Sequence, residues 1–203
     1  MSGCLFIVSA PSGAGKTSLV SALLAADPHV KKSISYTTRA PRSGEENARH
    51  YHFIAQDEFD RMRARGDLLE SALVHGNYYG TSKRNVEAEC AAGSDMLLEI
   101  DWQGAGQIRS LKPEAVAIFV LPPSLEVLEE RLRGRGQDST DVIEARLAAA
   151  RGEISHAGEF DYVIINDDFD RAAQDLIGII RAERLRSPRQ LARHTDLINR
   201  LTG

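Results

Sequence analysis

The sequence predicts an α/β fold built on a doubly wound, five-stranded parallel sheet, and three observations indicate this class. The apolar run 4–8 is followed by a glycine-rich loop and then by a helical pattern over 18–24. Further nearly continuous apolar runs follow along the chain, as in parallel strands that are covered on both faces. Helical patterns alternate with these runs, which is typical of parallel sheets with helical crossovers.

Each element of this core has its own signal in the sequence. Apolar runs predict core strands at 4–8, 96–100, 115–121 and 162–165. Helical patterns that end near glycine or proline lie between and after these runs. The predicted helices cover 18–24, 57–65 (with a cap at its start), 82–92, 103–110, 124–133, 141–156 and 169–186.

Residues from about 33 to 93 interrupt the alternation of strands and helices. Strands are predicted over 50–54 and 68–74, and a turn over 76–80, where glycine, asparagine and tyrosine cluster. This segment is therefore predicted to be an inserted subdomain with its own, mostly antiparallel sheet.

The length and composition of the chain limit the classes of function that it can have. The 203 residues correspond to one domain with small insertions, and the net charge of −4 provides no basic field for nucleic acid. No apolar run approaches the ~20 residues of a membrane span. Cys4 and Cys90 lack metal-ligand spacing, so reduced thiols in a cytoplasmic protein are expected. Partners are accordingly expected to be small molecules, with neither nucleic acid nor membrane.

The glycine-rich loop has the pattern of a phosphate-binding P-loop. Gly13 and Gly15 allow backbone N–H groups to approach phosphate oxygens, and the following helix directs its positive end at them. Lys16 is expected to reach the β- and γ-phosphates, and Thr17 to hold Mg²⁺. The predicted ATP-binding loop consists of Ala10, Pro11, Ser12, Gly13, Ala14, Gly15, Lys16 and Thr17, with Ala10 in place of the usual first glycine. The sequence thus predicts a P-loop NTPase fold that binds a nucleoside triphosphate.

Two arginines in the insert form a second candidate site for an anion. Arg39 and Arg42 flank Pro41, and guanidinium groups bind phosphate through paired hydrogen bonds. Tyr51, nine residues further on, could donate a third hydrogen bond. A solvated basic loop is the alternative explanation of the same residues.

Six segments of the chain resemble the guanylate kinase family of nucleoside monophosphate kinases. They are 9–17, 35–45, 76–81, 98–104, 131–136 and 165–168. The segments Ser-Tyr-Thr-Thr-Arg-Ala-Pro-Arg-Ser-Gly-Glu (35–45) and Gly-Asn-Tyr-Tyr-Gly-Thr (76–81) are the most specific of them. Together the six segments extend the resemblance over nearly the whole chain, about 3–185.

The resemblance implies the reaction ATP + GMP ⇌ ADP + GDP, with Mg²⁺ entering as the ATP complex and dGMP as a further acceptor. It implies a GMP site in which five residues surround the phosphate: Ser35, Arg39, Arg42, Tyr51 and Tyr79. It implies that Glu70, Thr81 and Asp101 bind the guanine. Chemistry supports this assignment, because one carboxylate can accept from both N1–H and N2–H₂ of guanine, a pair that adenine lacks.

The resemblance also implies a lid over residues 126–156 that closes over the phosphates. Its arginines, Arg131, Arg135 and Arg146, would contact ATP and the transferred phosphoryl group, so that the catalytic set is Lys16, Arg39, Arg42, Arg135 and Arg146. Asn166 is expected near the adenine, Glu99 in a supporting position only, and Trp102 in packing around the GMP pocket. The predicted division is then a core (1–32, 94–125, 157–186), a GMP-binding insert (33–93), the lid and a tail (187–203). The tail could be a packed helix or could mediate homo-oligomerisation.

Three alternatives use the same loop or scaffold. A kinase for another acceptor, such as ribose 1,5-bisphosphate, would not need Glu70, Tyr79 and Thr81. A catalytically inactive binding module of this fold typically loses the P-loop lysine, whereas Lys16 is present. A P-loop switch or motor ATPase has no reason to carry an insert with paired arginines.

Overall fold

A computed structural model of the protein describes residues 3–74, 76–134 and 139–203. Its nine strands, in chain order, are β1 (Leu5–Ser9), β2 (Val30–Lys32), β3 (Tyr36–Thr37), β4 (His52–Phe53), β5 (Leu68–Val74), β6 (Asn77–Ser82), β7 (Asp95–Glu99), β8 (Val116–Leu121) and β9 (Tyr162–Ile165). The helices in the same described ranges are α1 (Lys16–Ala26), α2 (Gln56–Arg65), α3 (Lys83–Ala91), α4 (Trp102–Leu111), α5 (Leu125–Gly134), α6 (Thr140–Ser155), α7 (Phe169–Arg184), α8 (Ser187–Arg193) and α9 (Thr195–Thr202), with a short 3₁₀ turn at Ala157–Glu159.

The central sheet has five parallel strands in the order β2-β7-β1-β8-β9. All five residues of β1 are buried, because helices cover both faces of the sheet. One apolar cluster joins the sheet to α1 and α7, and a second joins its other face to α3 and α4. The predicted doubly wound fold with a five-stranded parallel core is confirmed.

The insert forms a separate sheet in the order β4-β3-β6-β5. Strand β6 runs antiparallel to both β3 and β5, whereas β3 and β4 are parallel. Two of the three pairings are therefore antiparallel, in agreement with the mostly antiparallel sheet that the sequence predicts.

Three local predictions are wrong or incomplete. Residues 77–80, predicted as part of a turn, belong to β6, and within 76–80 only Gly76 lies outside that strand. Pairing with β5 and β3 imposes the extended conformation there despite the turn-forming residues. The expected cap at the start of α2 is absent, since Ala55 precedes the helix and makes no side-chain hydrogen bond to it. Strands β2 and β3 were not located in the sequence, because each has only two or three residues.

Helices α5 and α6 pack on each other through an apolar cluster of their own. The cluster is separate from the two clusters on the sheet and contains the buried residues Leu128, Leu132, Ile143 and Ala150. The tail consists of the short helices α8 and α9, and α9 exposes Leu197 and Leu201. Among the described residues, no helix combines the length and apolar character needed to cross a membrane.

Candidate active site

The P-loop connects β1 to α1, and both of its glycines are required by its geometry. Gly13 has φ +96° and Gly15 has φ +94°, in the left-handed region that favours glycine. A Cβ at Gly13 would lie 3.0 Å from Leu128 Cδ1, and one at Gly15 would lie 2.3 Å from Asn166 Nδ2. Ala10 is not among the residues with positive φ, so alanine is acceptable in place of the usual glycine.

Glu99 connects the start of α1 to the edge of the central sheet. The hydroxyl of Thr17 donates to Glu99 Oε1 at 2.5 Å, and Lys32 Nζ donates to Oε2 at 2.5 Å. Burial alone would raise the pKa of Glu99, but the charges of Lys16 and Lys32 and these hydrogen bonds hold it below the usual value. Glu99 is therefore ionised at neutral pH beside the residue expected to hold Mg²⁺. It was expected only in a supporting position, yet it lies in the cleft itself.

A buried carboxylate lies on the wall opposite the P-loop. Glu70 is 4% exposed and accepts a hydrogen bond of 2.6 Å from the Thr81 hydroxyl. Burial raises the pKa of Glu70 to about 7, with a contribution from the charge of Asp101 and against the hydrogen bonds from Thr81. A Cβ at Gly104 would lie 2.6 Å from Glu70 Oε2, so glycine leaves room for this side chain. Thr81, expected to bind the guanine, here donates its hydroxyl proton to Glu70.

The two arginines of the insert are connected through a third residue, Glu45. The Arg39 guanidinium donates to Glu45 Oε1 at 2.8 Å and to the Tyr79 hydroxyl at 3.2 Å. Glu45 Oε2 accepts from the backbone N–H of Arg42 at 2.7 Å. The Arg39 side chain is mostly buried against Tyr51, whereas Arg42 is exposed. Burial, together with nearby negative charge, raises the pKa of Tyr51 to about 12, so its hydroxyl remains a donor at neutral pH.

Both walls line one cavity of about 250 Å³. The sequence-predicted residues that line it are Ala10, Pro11, Ser12, Gly13, Gly15, Lys16, Thr17, Ser35, Tyr51, Glu70, Tyr79 and Asp101. Three further predicted residues form hydrogen bonds to lining residues: Ala14 to Pro11, Arg39 to Tyr79 and Thr81 to Glu70. Lys16 Nζ donates to Ile100 O at 3.3 Å, and both residues line the cavity.

The side chains behind the P-loop fix its backbone. Asn166, expected near the adenine, is buried, and its Nδ2 donates to Ala14 O of the loop at 2.7 Å. The Arg131 guanidinium donates to Asn166 O at 3.0 Å and to Ala14 O at 3.4 Å. Both residues therefore support the phosphate-binding loop in this structure.

Helix α6 contributes the charged residue Glu153 to the cavity. Glu153 lines the cavity, as Ser12 of the P-loop does. Burial raises its pKa, with the charge of Lys16 opposing and that of Asp101 adding to this effect. Arg146 is half-buried on the same helix. Arg135 lies outside the described residues.

The geometry agrees with comparisons to known proteins. A family model described as "Guanylate kinase" matches residues 2–183. This chain belongs to the guanylate kinase family. The chain is 58% identical to a guanylate kinase of Methylobacillus flagellatus, over 99% of this chain and 100% of the relative. It is 57% identical to one of Thiobacillus denitrificans, over 96% and 93% of the two chains.

A solved structure of similar fold is the guanylate kinase from Anaplasma phagocytophilum. Its TM-score is 0.79 at 36% identity, and the match covers 93% of this chain and 89% of that chain. Membership of the guanylate kinase family, which the sequence segments predicted, is thus confirmed, and the chain is an enzyme of the nucleoside monophosphate kinase type.

Sequence reasoning missed or underrated three acidic residues of the site: Glu45, Glu99 and Glu153. Glu45 directly follows Ser43 and Gly44, which form a turn after Arg42. From this position its side chain can contact both Arg39 and Arg42. Glu99 is two residues before Asp101, and this spacing alone places both at the carboxyl edge of the sheet. Glu153 had no signal in the sequence, since its place depends on how α6 packs.

Proposed function

We propose that this enzyme transfers the γ-phosphoryl group of ATP to GMP, forming ADP and GDP, and that it also accepts dGMP. The observation that carries the proposal is the single cleft lined by a P-loop on one wall and by Glu70, Tyr51 and Tyr79 on the other. A triphosphate on the first wall and a monophosphate on the second would face each other across this cleft.

Glu70 and Asp101 are proposed to select guanine. Glu70 is buried, and its carboxylate can accept from N1–H and N2–H₂ at once. A base without these donors would leave a buried carboxylate unpaired, which can be worth factors of ~10⁴ in selectivity. The hydrogen bond from Thr81 fixes the orientation of the Glu70 carboxylate.

The acceptor phosphate is proposed to bind between Ser35, Tyr51, Tyr79 and the arginines of the insert. Arg39 is already held by Glu45 and Tyr79, so little side-chain freedom is lost when the phosphate binds. Arg42 is exposed and would turn inward to complete the set.

The chemical step then needs positioning rather than a base. The acceptor phosphate has a second pKa near ~6 and is largely dianionic at neutral pH. One of its oxygens forms a bond to the γ-phosphorus as the bond from that phosphorus to the β–γ bridging oxygen breaks, and ADP leaves. Lys16, Arg39 and the lid arginines Arg135 and Arg146 are proposed to neutralise the charge that two polyanions bring together.

Thr17 and Glu99 fit a magnesium ion delivered with ATP. Mg²⁺ prefers oxygen ligands, and one hydroxyl and one ionised carboxylate lie within hydrogen-bond distance of each other here. Within the described ranges, no group of three or more His, Cys, Asp or Glu could hold a metal without the phosphates. When bound, the ion would neutralise phosphate charge.

The test is ADP formation from MgATP with GMP, dGMP, AMP, CMP, UMP and ribose 1,5-bisphosphate as separate acceptors. Turnover restricted to GMP and dGMP is expected. Turnover with the ribose bisphosphate would overturn the assignment of Glu70 and Asp101, and turnover with none would overturn the reaction. We propose a cytoplasmic location, which the free thiols of Cys4 and Cys90 support because thiols stay reduced in that compartment.

A further inference from the structure

The lid helices α5 and α6 form a packing unit of their own, so their side-chain contacts with the rest of the chain decide their orientation. Their apolar cluster is separate from both clusters on the central sheet. On the side of the P-loop, Arg131 of α5 contacts backbone carbonyls of Ala14 and Asn166. This contact belongs to the proposed ATP side of the cleft.

A second contact lies on the opposite side, where the end of α6 meets the start of α4. The indole of Trp102 and the imidazole of His156 stack face to face, with centroids 3.6 Å apart and planes inclined by 7°. Two aromatic rings at this separation are in full van der Waals contact. The stack therefore fixes one ring against the other in both distance and tilt.

Trp102 is held firmly relative to the proposed guanine site. It directly follows Asp101, whose carboxylate accepts from the backbone N–H of Gly104 at 3.0 Å and caps α4. Gly104 in turn lies close enough to Glu70 that a Cβ there would meet the carboxylate. If a bound base displaced Asp101 or Glu70, the indole of Trp102 would therefore move as well.

His156 is held equally firmly relative to the lid. It directly follows α6 as its C-cap residue, and its Nδ1 lies 2.6 Å from Glu159 Oε1 in the following turn. Arg146 and Glu153 are seven residues apart on α6, so they lie on the same face of that helix. Glu153 lines the same cavity as Ser12 and Lys16 of the P-loop, so this face of α6 is directed at the cleft.

We propose that Trp102 is a positioning residue for phosphoryl transfer, which through its stack on His156 sets the orientation of α6 relative to the guanine-binding carboxylates. The inference rests on the proposed GMP site. Arg146 is then placed correctly only when the stack is intact, and the stack responds to the acceptor rather than to ATP. The Arg131 contact remains in place in either case, so binding of ATP is independent of Trp102.

The kinetic test uses His156→Ala, Trp102→Leu, their double variant, and Trp102→Phe, with His194→Ala in the tail as a matched control. Assays are run well below the lowest unfolding midpoint of the set. Each single variant is expected to lower kcat about tenfold, because small displacements of a catalytic group are costly, while KM for ATP is unchanged. The double variant should lose no more than a single one, and Trp102→Phe should recover most of the loss because it retains an aromatic face.

The chain offers a spectroscopic readout as well, since Trp102 is its only tryptophan. GMP added without ATP is expected to change the tryptophan emission of the wild type, and this change should be lost in His156→Ala. An unchanged kcat in both single variants, additive losses in the double variant, or equal emission changes with and without His156 would overturn the inference. A wild type that fails to phosphorylate GMP would instead overturn the proposed function.

Discussion

The hydroxyl of Thr17 lies 2.5 Å from Glu99 Oε1, which joins the first turn of α1 to the end of β7. In this geometry the hydroxyl proton points at the carboxylate, so a lone pair of the oxygen is left to face a metal ion. Lys32 fixes the other oxygen of the same carboxylate. Glu99 therefore acts on the proposed magnesium site through Thr17.

Glu99→Gln is expected to weaken the magnesium dependence of ATP binding. The amide cannot accept as strongly from Thr17 and Lys32, and loss of such a partner typically costs 10–100-fold in metal affinity or activity. Titration of ATP at varied Mg²⁺ measures the effect by calorimetry, with Glu89→Gln, an exposed partner of Lys31, as the control. Equal magnesium dependence in the variant and the wild type would remove Glu99 from the metal site.

Arg39→Ala is expected to weaken GMP binding by roughly 10- to 100-fold, the usual cost of losing hydrogen bonds to a charged group. ATP binding should remain unchanged, because the hydrogen-bond partners of Arg39 within the described part of the chain, Tyr79, Ala40 and Glu45, lie in the insert. Separate equilibrium titrations of the two nucleotides measure this difference. Arg49→Ala, an exposed arginine paired with Glu46, is the control. Equal losses for ATP and GMP would show that Arg39 does not belong to the acceptor site.

Glu153→Gln is expected to tighten ATP binding about fivefold, since a partly exposed charge interaction is worth about 1 kcal/mol. Its carboxylate lies at Ser12 and Lys16, where the γ-phosphate is expected, and two anions cannot share these groups. ADP, which lacks the γ-phosphate, should bind with little change. The comparison of ATP with ADP by calorimetry is made against Glu144→Gln, an exposed residue of the same helix. Weaker ATP binding in Glu153→Gln would mean that the carboxylate instead holds the P-loop in its binding form.

The parts of the fold that follow from local signals could be predicted from the sequence. Strands β1 and β8 are buried, and their nearly continuous apolar runs are typical of a covered parallel sheet. Strand β9 has an apolar run as well, although it lies at the sheet edge and exposes Val163 and Ile165. Strand β6 could not be predicted, because Asn77–Ser82 is polar and carries Gly80, and its pairing with β5 rather than its composition makes it a strand. Strand β2, at the edge of the sheet, could not be predicted either, because it has three residues and two of them are lysines.

In the site, too, residues with a local sequence signal could be predicted and residues that depend on distant contacts could not. Gly13, Gly15, Lys16 and Thr17 are recognisable because they lie together in one loop whose geometry needs them. The contact of Glu99 with Thr17 joins residues 82 positions apart, and no local pattern reports it. The stack of Trp102 on His156 likewise depends on how two helices meet. Residues that act through distant partners therefore become visible only in the folded chain.

GMP affinity is expected to rise with pH up to about 7 and to level off above it. Burial raises the pKa of Glu70 to about 7, and only its ionised form can accept from both guanine donors, so binding below this pH must release a proton. The affinity should therefore fall by up to tenfold per pH unit below pH 7. The acceptor phosphate also titrates near ~6, and Glu70→Gln separates the two effects because only the phosphate contribution remains in it. Calorimetric titration with GMP between about pH 5.5 and 8.5 measures the GMP affinity of the wild type and of Glu70→Gln. Identical pH profiles would show that Glu70 does not bind the base, whereas a profile that loses its step near pH 7 in Glu70→Gln would assign the guanine to this carboxylate.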